Sequence, residues 1–169
     1  QDALNKDKSE KKEFKEAEEK AELTEDELKV ALKQEIGQGL VTVEKKEDKV
    51  IVTVGAGGAF PSGTAKLTPQ AKKIMENIAK VNSKGNSTIM VTGHTDNVPL
   101  VFGSQYRDNW DLAAARASSV VQSLEDSKVI SPGRLIATSK GETQPVASNS
   151  SSAGRSKNRR IEIEINYGK

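Results

Sequence analysis

Ser87-Thr88-Ile89-Met90-Val91-Thr92-Gly93-His94-Thr95-Asp96 is the stretch on which the fold turns. Residues 87–92 carry apolar side chains at both parities, the pattern of a strand central in its sheet. The strand empties into Gly93-His94-Thr95-Asp96. A carboxylate therefore stands just past a strand's carboxyl end, where open α/β sheets take their ligands. The same Asp96 also reads as a turn residue whose carboxylate caps local amides. Spacing alone leaves both readings open.

Outward from this strand, helices and strands alternate. Val50, Val52 and Val54 alternate with Ile51 and Thr53, so residues 49–54 read as a strand. Gly55, Gly57 and Gly58 read as a flexible approach to Phe60-Pro61. Thr68-Pro69 opens a helix, with Thr as N-cap and Pro at the first helical position. Its buried side takes Ala71, Ile74, Ile78 and Val81. A loop from Asn97 to Arg107 leads to a second helix at about Asn109 to Ser127, with Ala113, Ala117, Val120, Val121 and Leu124 facing inward. Residues 134–139 read as a strand and residues 143–158, rich in Ser, Asn and Gly, as a loop. Ile161, Ile163 and Ile165 alternate with Glu162, Glu164 and Asn166, so the last strand has one wet face. The order β-α-β-α-β-β implies right-handed crossovers that lay the helices on one face of an α/β sheet.

The chain has 169 residues, which suits one domain with an appendage. Its hydrophobic share of 34% and mean hydropathy of −0.60 fit a small core plus a solvated arm. Residues 1–36 hold 12 acids and 8 bases, and the remainder holds 12 acids and 18 bases. The globular part is thus mildly basic, which helps it sit on an anionic polymer. Residues 1–23 are rich in Lys and Glu and read as a charged linker or frayed helix, with too little apolar surface to offset ordering. Thr24 with Glu27 matches a capping box, so a firmer helix is expected from Thr24 to Ile36, with Leu28, Ala31, Leu32 and Ile36 on one face. The expected organisation is a linker at 1–23, a helix and connector at 24–48, and a domain at 49–169. Nothing approaches the ~18 consecutive apolar residues of a membrane-spanning helix, and no secretory signal is present. A start at Gln1 suggests a fragment or a processed product.

Cysteine is absent and His94 is the single histidine, so thiolate chemistry is excluded and a metal site would have to rest on carboxylates. No G-x-S-x-G elbow appears, and His94 reads as a structural residue hydrogen-bonded within its loop. Arg155, Lys157, Arg159 and Arg160 form a basic cluster. Nucleic-acid binding would want stacking aromatics among them, and the chain's six aromatics lie elsewhere. Arg116 follows Ala113-Ala114-Ala115, whose small side chains leave room for a ligand beside the helix. It reads either as a surface residue paired with Asp111 or Asp96, or as a fork for a ligand carboxylate. One acid and one guanidinium facing one pocket suit a zwitterion. They do not make an acid–base pair for hydrolysis, so a hydrolase is the weaker reading.

The motifs Thr92-Gly93-His94-Thr95-Asp96, then Asn109 through Leu112 to Arg116-Ala117, then Asn158-Arg159-Arg160-Ile161-Glu162-Ile163, resemble the OmpA-like peptidoglycan-binding domain. The stretches Asp96–Pro99 and Asp108–Leu112 resemble more narrowly the MotB/PomB type of flagellar stator subunit. The resemblance runs from about Val50 to Tyr167. It implies a two-layer sandwich with a mixed sheet, no catalysis and no cofactor. Asp96 would hold the ammonium of meso-diaminopimelate in the peptidoglycan stem, and Arg116 its carboxylate. Phe60, Thr95, Asn109 and Leu112 would line the same pocket. Phe60 and Leu112 can equally be core, and Asn109 an N-cap. Arg159 and Arg160 would mainly brace the strand near the pocket. The family usually carries Ser where Ala113 stands, so a helix-start hydroxyl is lost here. The resemblance further implies a periplasmic domain of an inner-membrane protein, a homodimer and a channel partner of the MotA/PomA type. The membrane helix would then lie upstream of Gln1. An OmpA- or Pal-type envelope protein is the alternative within the same fold.

Overall fold

The computed structural model describes residues 2–168, so the outermost residues of the segments expected at 1–23 and 49–169 lie outside it. Five strands form one sheet: β1 (Val41–Lys46), β2 (Lys49–Gly55), β3 (Thr88–His94), β4 (Leu135–Gly141) and β5 (Arg160–Asn166), in the order β1-β2-β5-β3-β4. β3 and β4 are parallel and the other neighbours antiparallel, so the sheet is mixed. β3 lies between β5 and β4, in the interior position its apolar run predicts.

Among the described residues six α-helices accompany the sheet: α1 (Asp2–Ala31), α2 (Lys33–Gly37), α3 (Ala56–Ala59), α4 (Pro69–Val81), α5 (Asn109–Asp126) and α6 (Ser152–Asn158). The alternating residues Val50, Val52 and Val54 of β2, Ile161, Ile163 and Ile165 of β5, and Ile89 and Val91 of β3 are all buried. They join Ile74, Met75 and Ile78 of α4 and Ala117, Val120 and Leu124 of α5 in one core. Each such Val, Ile, Leu or Met side chain taken from water stabilises the fold by about 1.5–3 kcal/mol before entropy is counted. Glu162 and Glu164 keep partial exposure on the opposite face. The result is the two-layer α/β sandwich expected, with α5 as the crossover between the parallel strands β3 and β4.

Four local expectations are corrected. First, of the two readings of the arm the helical one holds over residues 2–23, which are continuous with the 30-residue helix α1, so the helix start expected at Thr24 is absent. Thr24 does not start a helix: it lies inside α1, buried, with its hydroxyl hydrogen-bonded to the Tyr167 hydroxyl. Ala17, Ala21, Thr24 and Leu28 dock on the domain, while residues 2–16 are exposed. Docking supplies the costly helix nucleus, and the Lys-, Glu- and Ala-rich remainder extends it residue by residue. Asp7 and Lys11 add an i,i+4 ion pair at 3.2 Å.

Second, the connector holds an extra strand, β1, paired to β2 through Glu47-Asp48. Glu47 has φ 58, a conformation that usually calls for Gly or Asn, so the turn was silent in sequence. Third, residues 56–59 form a helical turn with Ala56 and Ala59 buried, not a flexible approach. Fourth, the loop at 143–158 ends in α6. Ser151 caps this helix by accepting from the Gly154 amide at 3.0 Å, and no apolar stripe announces it.

Candidate functional site

The core strand β3 delivers Thr95 and Asp96 to its carboxyl end, and α5 begins beside them. The two elements touch closely. A Cβ on Gly93 would meet the Ala113 carbonyl oxygen at 2.1 Å, so only glycine admits α5 this near to β3. Asp108, not Asn109, caps α5, its carboxylate accepting from the Asp111 amide at 2.9 Å. That corrects the N-cap reading of Asn109. Asn109 instead donates through Nδ2 to the Val98 carbonyl at 3.1 Å and to the Asp96 carbonyl at 3.3 Å, tying the 97–107 loop to the helix.

All six residues singled out from the sequence line one cavity of about 1130 Å³: Phe60, Thr95, Asp96, Asn109, Leu112 and Arg116. Asp96 and Arg116 are both buried, which rules out the surface reading of Arg116. They are 8% and 6% exposed. Asp96 does serve as a turn residue, since its Oδ1 accepts from the Val98 amide at 3.0 Å. Its Oδ2 accepts from Arg159 Nη1 at 2.6 Å. Thr95 is buried, its hydroxyl donating to the Asp96 carbonyl at 2.8 Å.

Arg116 is not paired with an acid. Its Nε donates to the Thr64 carbonyl at 2.8 Å, and its guanidinium stacks 5.0 Å from the Phe60 ring centroid. Its terminal nitrogens make no hydrogen bond among the described residues. Burial, opposed by Tyr106 and aided by Arg159, lowers its pKa from the usual guanidinium value. A cation so desolvated gains more from an incoming anion than an exposed one would. Phe60 and Leu112 are both core residues and cavity walls, so the two readings of each coincide.

Arg159 belongs to this cavity, and the bracing role drawn from the motif does not describe it. Arg160 has the bracing geometry. It is buried, with Nε on Glu162 Oε2 at 2.7 Å, Nη1 on the Asn158 carbonyl and Nη2 on the Gln144 carbonyl, both at 3.1 Å. Arg159 is the extended residue just before β5 and Arg160 opens the strand, and successive extended residues face opposite sides. The motif named both residues, but which one faced the site depended on the start of β5. Tyr106, Lys66 and Ser119 also line the cavity and carried no signal in the sequence.

His94 is the last residue of β3 rather than a loop residue, and is 3% exposed with Nε2 3.4 Å from Glu162 Oε2. Burial first, then the positive charge of Arg160, lowers its pKa to about 4, with Glu162 opposing. It is therefore neutral at physiological pH and structural in setting. Among the described residues no group of three or more His, Cys, Asp or Glu side chains is placed to hold a metal ion. No helix there is long and apolar enough to cross a membrane.

The profile of the OmpA family matches residues 59–159, which span every cavity residue named above. Motility protein B of Bacillus subtilis is 36% identical over 120 residues, covering 69% of this chain and 44% of that protein. The peptidoglycan-binding protein ArfA of Mycobacterium tuberculosis is 30% identical over 121 residues, covering 71% of this chain and 35% of that protein. The cell wall anchor of the T6SS from Pseudomonas aeruginosa superposes with a TM-score of 0.73 at 33% identity, covering 82% of this chain and 96% of the other. The chain spans about half the length of the curated relatives it matches. With the motifs, the mixed sheet and the family match in agreement, the chain belongs to the OmpA family.

Proposed function

We propose that this chain is a non-catalytic peptidoglycan-binding module of the MotB type, which anchors a flagellar stator to the cell wall. The observation that carries the reading is the single cavity holding the buried carboxylate of Asp96 and the desolvated guanidinium of Arg116. Asp96 offers its remaining lone pairs to the ammonium of meso-diaminopimelate, and the free end of Arg116 takes the carboxylate at the same carbon. Each partly enclosed charged hydrogen bond contributes about 1.5–3 kcal/mol. The similarity to motility protein B, to ArfA and to the T6SS wall anchor supports this assignment.

The lining supports binding without reaction. Among the described residues Asp96 is the one carboxylate in the cavity wall, and it is already bonded to Arg159 and to a backbone amide. A hydrolase would need a second acid, a nucleophile or a metal facing it. In the full-length protein this module sits on the wall side of the cytoplasmic membrane, the periplasm in a Gram-negative cell. It works as a homodimer with a MotA/PomA-type channel subunit, and two copies add avidity without new contacts. Helix α1 is the linkage to the membrane part. It changes its packing when the stator engages, so a cross-link holding α1 to the domain should abolish motility.

Sedimentation with purified sacculi, with and without free meso-diaminopimelate, tests the assignment. Wall binding that the free amino acid competes away supports it. Binding indifferent to the amino acid, or release of muropeptides, overturns it.

A further inference from the structure

Arg159 stands at the head of β5 with its backbone fixed on both sides, its amide on the Arg155 carbonyl and its carbonyl accepting from the Ala56 amide at 2.9 Å. Its side chain makes one bond, Nη1 to Asp96. Nε and Nη2 have no partner among the described residues. The side chain is 40% exposed, while that of Asp96 is 11% exposed. One end of the fork is therefore anchored on the buried acid and the other opens onto the cavity.

The charge count of the cavity adds a second observation. Its charged lining residues are Lys66, Asp96, Arg116 and Arg159, an excess of two positive charges. A zwitterion brings no net charge and leaves that excess in place. The volume of about 1130 Å³ also exceeds what one amino-acid terminus fills. A ligand bearing a further carboxylate beside the zwitterion would balance the site better and occupy more of it.

We propose that Arg159 is a specificity-determining contact for a second carboxylate of the stem peptide, adjacent to the diaminopimelate ammonium and carboxylate. This rests on the wall-binding reading above and refines its substrate. Asp96 then has two tasks: it receives the ligand ammonium and it orients Arg159, whose free nitrogens take the extra carboxylate. The site thereby distinguishes stem peptides that keep this carboxylate from those in which it is amidated. Two positions can supply it, the α-carboxylate of the γ-linked D-glutamate and the carboxyl terminus after diaminopimelate.

Calorimetric titration with three synthetic N-acetylated stem tetrapeptides tests the assignment. One is unmodified, one has the glutamate α-carboxylate amidated, and one has the carboxyl terminus amidated. Wild-type protein should lose about tenfold in affinity with one of the two amidated peptides, the scale of one charged hydrogen bond. Which peptide suffers identifies the carboxylate. In Arg159→Ala the same amidation should cost nothing, because the two changes remove one interaction. Arg159→Lys, which keeps the charge and loses the fork, should show an intermediate ratio. If the discrimination persists in Arg159→Ala, or if wild type binds all three peptides alike, the assignment is overturned while wall binding stands. If wild type binds none of them, the wall-binding reading fails as well.

Discussion

The guanidinium of Arg116 lies 5.0 Å from the centroid of the Phe60 ring and donates through Nε to the Thr64 carbonyl at 2.8 Å. These contacts use one face and one edge of the group and leave its terminal pair pointing into the cavity. Lysine can reproduce the charge but neither the stacking nor the two parallel hydrogen bonds. Arg116→Lys should therefore weaken sedimentation with sacculi at least tenfold, while chemical unfolding shifts by less than about 1 kcal/mol. Arg116→Ala, which also strips the cover from Phe60, should cost about 1–2 kcal/mol of stability in the same unfolding measurement.

Asp96 ties together the loop start and Arg159. Asp96→Ala leaves the Val98 amide and the Arg159 fork without their acceptor. Wall binding should be lost, with a stability cost of about 1–2 kcal/mol and an unchanged far-UV circular dichroism spectrum. Retained sedimentation with sacculi would remove the role assigned to this residue.

Gly93 sets the separation between β3 and α5. Its replacement by alanine forces a methyl group onto backbone atoms of Ala113, at 2.1 Å from the oxygen and 2.8 Å from the carbon. Neither atom belongs to a side chain that can rotate away. Gly93→Ala should destabilise the protein by about 3 kcal/mol, the upper end for an overpacked core. It should also weaken peptide binding in whatever folded protein remains, since β3 and α5 carry Asp96 and Arg116. Differential scanning calorimetry followed by peptide titration measures both.

His94 gives stability a defined pH dependence. The folded protein holds the imidazole neutral down to about pH 4, against an unfolded value of 6.5. Between those values the unfolded chain binds more protons. The stabilisation is therefore fully present above pH 6.5 and is lost as pH falls towards 4, by up to about 1.4 kcal/mol per pH unit. Denaturant titrations at pH 4.5, 5.5 and 6.5 should show this slope in wild type and a shallower one in His94→Gln. Equal slopes would mean that other groups carry the acid sensitivity.

Thr24 and Tyr167 join α1 to the end of the sheet through their hydroxyls, and Tyr167 reaches on to Asn82 Oδ1 at 3.4 Å. Tyr167→Phe leaves the buried Thr24 hydroxyl without this partner. The helix should loosen before the sheet does. Amide hydrogen exchange over residues 17–31 should accelerate severalfold, while protection in β3 and β5 is retained, for a local cost of about 1 kcal/mol.

The layers of this fold were legible because their signals are periodic. Ile161, Ile163 and Ile165 declare a half-buried strand by alternation, and Thr68-Pro69 declares a helix start by chemistry. β1 was hidden because its hairpin turns through Glu47, a charged residue in a conformation that side chains usually avoid. Thr24 misled because a capping box is a local pattern, and tertiary docking of Ala17 and Ala21 carries the helix straight through it. Within the site, Asp96 and Arg116 were singled out by the family motifs, since spacing alone left a turn residue and a surface arginine open. Arg159 was not, because two adjacent arginines look alike in sequence and part company only when the strand's parity is set.

Residues 2–16 of α1 stand clear of the domain with every side chain exposed. At 1.5 Å per residue they form a rod of about 22 Å. A coil of the same length would stretch under load and lose the direction of a pull. A rod rooted at Ala17 keeps that direction, so tension on its far end reaches β1 and β2 as a torque on one edge of the sheet, the edge farthest from β4. On the wall-binding reading proposed above, the cavity at the other end of the strands is loaded through the sheet itself, and the stiffness of five hydrogen-bonded strands sets how much of a tug the ligand feels.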